Sequence, residues 1–143
     1  EKGRAMLRDF ESMTREALKA NGGAEIKTLG DGFMASFTSV QRALQCSVAL
    51  QRAFQAYSDR GGVQLKVRVG LNAGEPIAEQ NDLFGTAVIL AEQCAAQARG
   101  GQILATDVVR QLVGGRGFEF SDQGMFTMRG FEDPVKLYEV GWQ

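Results

Sequence analysis

Glu25-Ile26-Lys27-Thr28-Leu29-Gly30-Asp31-Gly32-Phe33-Met34-Ala35-Ser36-Phe37 is the stretch on which the reading of this chain turns. Two short apolar runs flank a Gly-Asp-Gly turn, and the pattern predicts a β-hairpin. Asp-Gly meets the positive φ angles of a tight hairpin turn, and Gly30 lets the backbone come close to a ligand or partner. Asp31 then projects at the hairpin tip. An exposed carboxylate at a rigid tip can hold a hard cation such as Mg²⁺ through oxygen. Turn chemistry alone also selects Asp at such a position.

Outward from the hairpin, 143 residues with 44% apolar and 23% charged side chains suit one globular domain with a real core. A formal charge of -1 gives no general attraction to nucleic acid or anionic membrane, and no block of Lys or Arg stands out. Cys46 and Cys94 each sit inside an apolar helical pattern, which reads as buried thiols in a reducing compartment. A cytoplasmic location is the resulting expectation. No run reaches the roughly 18 to 20 apolar residues that cross a bilayer, and no signal-peptide pattern opens the chain. The chain has no histidine, which removes Ser/His/Asp and Cys/His catalysis and every histidine metal site. Any metal must sit on carboxylates.

Before the hairpin, Met6, Phe10, Met13 and Ala17 recur at helical spacing from Arg4 to Ala20, and Asn21-Gly22-Gly23 supplies a stop. Because this helix begins almost at residue 1, the reading expects a first element to be missing upstream. After the hairpin, Ser39 can cap a second helix with Ala43, Cys46, Leu50, Ala53, Phe54 and Tyr57 on one face, up to Gly61-Gly62. Strict alternation from Val63 to Ala73 predicts a long strand buried on one side. Gly74 and Pro76 turn the chain into a short segment ending at Gln80, and Asn81–Gly85 reads as a loop into a helix ending near Ala98. Gln102–Ala105 predicts a strand, and Thr106 caps a brief helix through Leu112. Short strands follow at Phe118–Phe120, Met125–Met128 and Lys136–Val140. Helices interleaved with hairpin-paired strands indicate an α+β sandwich, helices covering a mostly antiparallel sheet.

Gly30-Asp31-Gly32-Phe33-Met34-Ala35 formally matches a dinucleotide-binding fingerprint, but a strand follows where that fingerprint opens a helix, and Leu50 and Gln51 stand where it wants an acid. No Gly-x-x-x-x-Gly-Lys-Ser/Thr occurs, so a P-loop is excluded.

Several motifs in order remain. They are Ile26-Lys27-Thr28-Leu29-Gly30-Asp31-Gly32, Val67-Arg68-Val69-Gly70-Leu71-Asn72-Ala73-Gly74, Asp82-Leu83-Phe84-Gly85-Thr86-Ala87-Val88, Ala98-Arg99-Gly100-Gly101-Gln102-Ile103-Leu104, and Met128-Arg129-Gly130 before Val135-Lys136-Leu137-Tyr138-Glu139-Val140. Together they resemble the class III adenylate/guanylate cyclase catalytic domain over nearly the whole chain. The resemblance implies a single cyclase-type domain over residues 1–143 with a ferredoxin-like core. It also implies head-to-tail pairing, as a homodimer or with another cyclase domain, and ATP with two Mg²⁺ or Mn²⁺ ions at the dimer interface.

Lys27 matches the base-reading position of adenylate cyclases in that family, and Asp82 matches its partner. The chemistry agrees, since an ammonium can donate to adenine N1 and a carboxylate can accept from the N6 amine, whereas guanine presents the opposite pattern. Asp31 matches one of the two metal-binding aspartates, and Arg129 falls near a position where a basic residue meets terminal phosphates. The other metal aspartate belongs to a strand before the first helix; Asp9 does not replace it, because it lies inside a helical pattern. Ile89 stands where the family has an Asn, and Gln93 where it has an Arg, both serving the phosphate transition state. Four residues apart on one helix, they share a face.

The reaction implied is attack of the ribose 3′ oxygen on the α-phosphate of ATP, giving cyclic AMP and pyrophosphate, with two metals activating the nucleophile and stabilising the departing charge. With Ile89 and Gln93 in place, weak or absent turnover is expected. The competing reading is a non-catalytic dimerisation or ATP-sensing module. An RNA-binding ferredoxin-like domain needs exposed strand aromatics and a basic face, which the sequence does not supply.

Overall fold

The computed structural model describes residues 2–29, 32–61, 63–114 and 116–143. They fall into two compact units, residues 1–66 and 67–143, each taken by itself below.

The first unit is built from α1 (Lys2–Ala20), β1 (Ala24–Leu29), β2 (Gly32–Ser36) and α2 (Val40–Gly61). α1 ends where the glycines stand: Gly22 has φ 72, and the Gly23 N–H donates to the Leu18 carbonyl at 2.8 Å. This is the bond pattern of a Schellman stop. β1 and β2 pair antiparallel from Ala24↔Ser36 to Leu29↔Gly32, so the hairpin read from the sequence is present, with an extra residue on β1 between Glu25 and Lys27. Ser39 caps α2, its Oγ accepting from the Arg42 N–H at 3.2 Å.

The buried residues of α2 are Leu44, Cys46, Ser47, Gln51, Phe54 and Ser58; Cys46 and Phe54 belong to the face read in the sequence, and the others lie about one residue round from it. The offset arises because three of these residues are polar. Ser47 satisfies its hydroxyl on the Ala43 carbonyl at 2.9 Å, and the Ser58 hydroxyl accepts from the Leu65 N–H at 2.7 Å. Bonded in this way, a hydroxyl carries little burial cost. Phe10 stands between Phe33 and Phe54, both centroids 5.6 Å away, joining α1, β2 and α2. Asp9 accepts from the Tyr57 hydroxyl at 2.9 Å, a second tie between the two helices.

The second unit holds β3 (Val69–Leu71), the pair β4 (Ile77–Glu79) and β5 (Asp82–Phe84), α3 (Thr86–Gln97), β6 (Ile103–Thr106), α4 (Asp107–Val113), β7 (Phe120–Phe126) and β8 (Val135–Val140). Its four-stranded sheet has the order β3-β6-β8-β7, with β3 and β6 parallel and the other pairs antiparallel. Leu90 and Cys94 on one face of α3, with Ala98 at its C-cap, pack with Leu104, Met128 and Leu137 into the core of this unit. Gly70 admits the helix. A Cβ there would meet the Ala95 backbone nitrogen and, at 2.7 Å, the Ala91 carbonyl oxygen. At the edge of the unit the Trp142 indole N–H donates to the Gly101 carbonyl at 2.8 Å.

The α+β class stands, and four local expectations are corrected. The long strand 63–73 shrinks to Val69–Leu71, paired with Ile103 to Ala105 of the short β6, and upstream of it the Gly101 N–H still reaches the Val67 carbonyl at 2.7 Å. The alternation upstream reports one-sided burial without a ladder. Asp82–Phe84 is a strand and not a loop, since Gln80 and Asn81 both take positive φ (51° and 63°) and close a two-residue hairpin between Glu79 and Asp82. The two strands read around Phe120 and Met125 are one strand, and Gly124 (φ 90) forms a bulge that does not break it. Thr106 stands at the N-cap of α4 without bonding it. Its hydroxyl donates instead to Asn72 Oδ1 at 2.7 Å. Among the described residues, no helix is long and apolar enough to cross a membrane.

Candidate functional site

The chemistry-bearing residues read from the sequence lie on three supports. Lys27 is on β1, half-buried and opposite Met34, one step past the bulge at Ile26. A bulge re-aims the side chains that follow it, so Lys27 does not continue the alternation begun at Glu25. Glu25 itself is held by Arg15, which donates through Nε at 2.8 Å and Nη2 at 3.2 Å. That guanidinium holds the Glu25 carboxyl below its ordinary value. Asp31, expected as a metal ligand, lies outside the described residues.

Asp82 opens β5 directly after the tight turn. Its Oδ1 accepts from the Leu83 N–H at 2.7 Å, which folds the carboxylate back on its own strand start and leaves it half-buried. The same pair of strands carries two exposed apolar residues facing each other across the ladder, Ile77 and Phe84, 61% and 46% exposed.

α3 is the third support, and its placement has a clear physical origin. Asn72, at the exit of β3, donates from Nδ2 to the Ala87 carbonyl at 3.1 Å while accepting from Thr106, so one carboxamide ties β3, β6 and the first turn of α3 together. Gly70 brings the middle of the helix against β3. On this fixed helix Ile89 is 45% exposed, an apolar side chain in solvent. Gln93 is turned to Arg129: its Nε2 donates to the Arg129 carbonyl at 2.6 Å, and its Oε1 accepts from the Arg129 N–H at 2.8 Å. Of the residues singled out in the sequence, the second unit thus brings Gln93 and Arg129 into direct contact. Asn72 was not recognised as part of this support, and nothing local marks it. Its bonding partners lie 15 and 34 residues away. Among the described residues no group of three His, Cys, Asp or Glu side chains is placed to hold a metal ion.

Residues 2–141 match the model of the adenylate and guanylate cyclase catalytic domain. The chain belongs to that family. A putative adenylate cyclase of Rhizobium meliloti is 34% identical over 122 residues, 81% of this chain and 20% of the relative. This chain therefore spans about a fifth of the length of that protein. Among solved structures, an adenylate/guanylate cyclase/hydrolase from Silicibacter pomeroyi superposes with a TM-score of 0.81 at 29% identity, covering 88% of this chain and 76% of that one. The catalytic core of a rhodopsin-guanylyl cyclase with converted specificity, in complex with ATPαS, gives a TM-score of 0.84 at 21% identity over 94% of this cyclase domain and 79% of its own chain. At that identity the likeness concerns the fold alone.

Proposed function

We propose that this cyclase-family domain binds ATP in preference to GTP and converts it to cyclic AMP and pyrophosphate slowly or not at all. The observation that carries the reading is the state of α3. The two positions expected to serve the phosphate transition state offer an exposed apolar side chain, Ile89, and a carboxamide, Gln93, whose oxygen and one N–H are engaged by the Arg129 backbone. Removing one positioned donor from a transition state typically costs roughly 10²- to 10³-fold in rate. Groups that act together are not additive, so the two losses need not multiply.

Preference for ATP rests on the chemistry of Lys27 and Asp82, an ammonium to donate to adenine N1 and a carboxylate to accept from N6. Divalent Mg²⁺ or Mn²⁺ belongs to the proposed reaction, but the described residues do not assemble a donor set for it. Association with a second cyclase-type domain, identical or not, is part of the proposal. Exposed Ile77, Phe84 and Ile89 support it as apolar surface that a partner would cover. The same observations favour, as a second reading, an ATP-sensing module without catalysis.

Calorimetric titration of ATP and GTP with Mg²⁺ or Mn²⁺, combined with an assay of cyclic AMP release, tests the proposal. ATP should bind more tightly, Lys27→Ala and Asp82→Ala should each erase the preference, and product should stay near background. Equal affinities would remove the base-reading argument. Robust turnover by the unaltered chain would overturn the proposed impairment.

A further inference from the structure

Met128-Arg129-Gly130-Phe131 is a turn closed by the Phe131 N–H on the Met128 carbonyl at 3.1 Å, with a positive φ (87°) at Gly130. A positive φ at the third residue alone marks a type II turn. Arg129 occupies its exposed corner. At such a corner the N–H and C=O of the second residue point away from the turn and have no partner within it. Gln93 takes both, donating at 2.6 Å and accepting at 2.8 Å.

The base under this clamp is rigid. Met128 is 1% exposed and lies in the core cluster with Cys94, the neighbour of Gln93 on α3, while Phe131 packs against the same cluster. With both backbone groups of Arg129 fixed, its side chain is the part left free to move. Among the described residues no carboxylate forms a salt bridge with its guanidinium. A cation on a fixed stem, without a counter-charge among the described residues, is prepared for an anion from outside, and a planar guanidinium matches phosphate oxygens.

We infer that Gln93 is a positioning residue that holds Arg129 for the polyphosphate of the nucleotide, an inference that rests on the nucleotide-binding reading above. Position 93 is then committed to the turn and does not meet the transition state itself. The chemistry of the clamp is narrow. It needs a donor and an acceptor side by side at the end of a side chain of this length. Arginine only donates, ionised glutamate only accepts, and asparagine is one methylene too short. Gln93→Arg therefore breaks the clamp, although it would introduce the charge that the family resemblance implies at this position.

The test uses the full chain and two probes, ATP and inorganic tripolyphosphate. Their affinities are measured for the unaltered protein, Gln93→Met, Gln93→Arg, Arg129→Ala and the double variant Gln93→Met/Arg129→Ala. Amide hydrogen exchange at Arg129 is followed alongside. Holding a flexible cation in place is worth roughly 3- to 10-fold in affinity. Gln93→Met should weaken both probes by that factor, leave affinity unchanged when Arg129 is already alanine, and speed exchange at the Arg129 amide while Leu104 and Leu137 stay protected. Gln93→Arg should behave like Gln93→Met. The inference is overturned if ATP binds the unaltered chain but Gln93→Met binds it equally well, if the loss is the same in both backgrounds, or if Gln93→Arg tightens binding. If the unaltered chain binds neither probe, the nucleotide-binding reading falls and takes this inference with it.

Discussion

Gly70→Ala adds one methyl group, and its cost can be worked from the packing of α3 on β3. The new Cβ would lie 2.7 Å from the Ala91 carbonyl oxygen and 2.8 Å from Ala95 Cα, and closer still to the Ala95 nitrogen. All of these are backbone atoms, so no side chain can swing aside. Ordinary van der Waals contact begins near 3.4 Å, so α3 must withdraw by about 0.7 Å to clear the Ala91 oxygen alone and by more to clear the Ala95 nitrogen. Withdrawal loosens Leu90, Cys94 and Ala98 in the core. Overpacking of this kind costs about 1–3 kcal/mol, and with backbone on both sides the upper end applies. For a chain of this size that lowers Tm by roughly 9–15 °C. Thermal melting followed by circular dichroism reads the change, with Gly3→Ala as the control. Gly3 lies in α1 with nothing within 4 Å of an added Cβ, and alanine there should leave Tm unchanged or raise it slightly. If Gly70→Ala melts within about 2 °C of the unaltered chain, the close approach of α3 to β3 is refuted, and with it the placement of Ile89 and Gln93.

Thr106→Val keeps the shape of a buried side chain but leaves Asn72 Oδ1 without its donor, which should cost about 1–2 kcal/mol in urea unfolding. The Gly124 N–H and then the Lys136 ammonium hold the Asp122 carboxyl below its ordinary value. Its contribution to stability is therefore complete above the unfolded value and lost as pH falls through the folded one, so the Tm difference between the unaltered chain and Asp122→Asn should shrink between about pH 6 and about pH 3. Burial pushes the Cys94 thiol up to about 12 and the Cys46 thiol up to about 11, and a thiol reagent near neutral pH should label neither until denaturant is added.

What could be read in advance was what depends on neighbours in sequence. The Gly22-Gly23 stop, the Ser39 cap and the hairpin that closes on Leu29 and Gly32 are local devices, set by residues within a few positions of the backbone they serve. The errors have a common form. Alternation from Val63 to Ala73 gave the buried side correctly but not the ladder, because a strand also needs a partner, and β6 is short. Gln80-Asn81 lacks the glycine that usually announces a tight hairpin, so β4 and β5 were hidden. Ser47, Gln51 and Ser58 are polar by composition and buried by position.

The same division runs through the candidate site. Lys27, Asp82, Ile89, Gln93 and Arg129 stood out by motif, but the meeting of Gln93 with Arg129 spans 36 residues and follows from the packing of Cys94 and Met128. No pattern along the chain encodes it.

Trp142 is the only tryptophan of the chain, and its indole is tied to the Gly101 carbonyl within the unit that begins at Val67. Its emission is therefore a spectroscopic label for that unit that needs no chemical modification. Far-ultraviolet circular dichroism is dominated by helix, and the two longest helices, α1 and α2, belong to the other unit. One denaturation series followed in both signals thus weights the two halves differently, since α3 and α4 add a smaller share of the helical signal, and coincident or staggered midpoints tell whether they melt as one cooperative body.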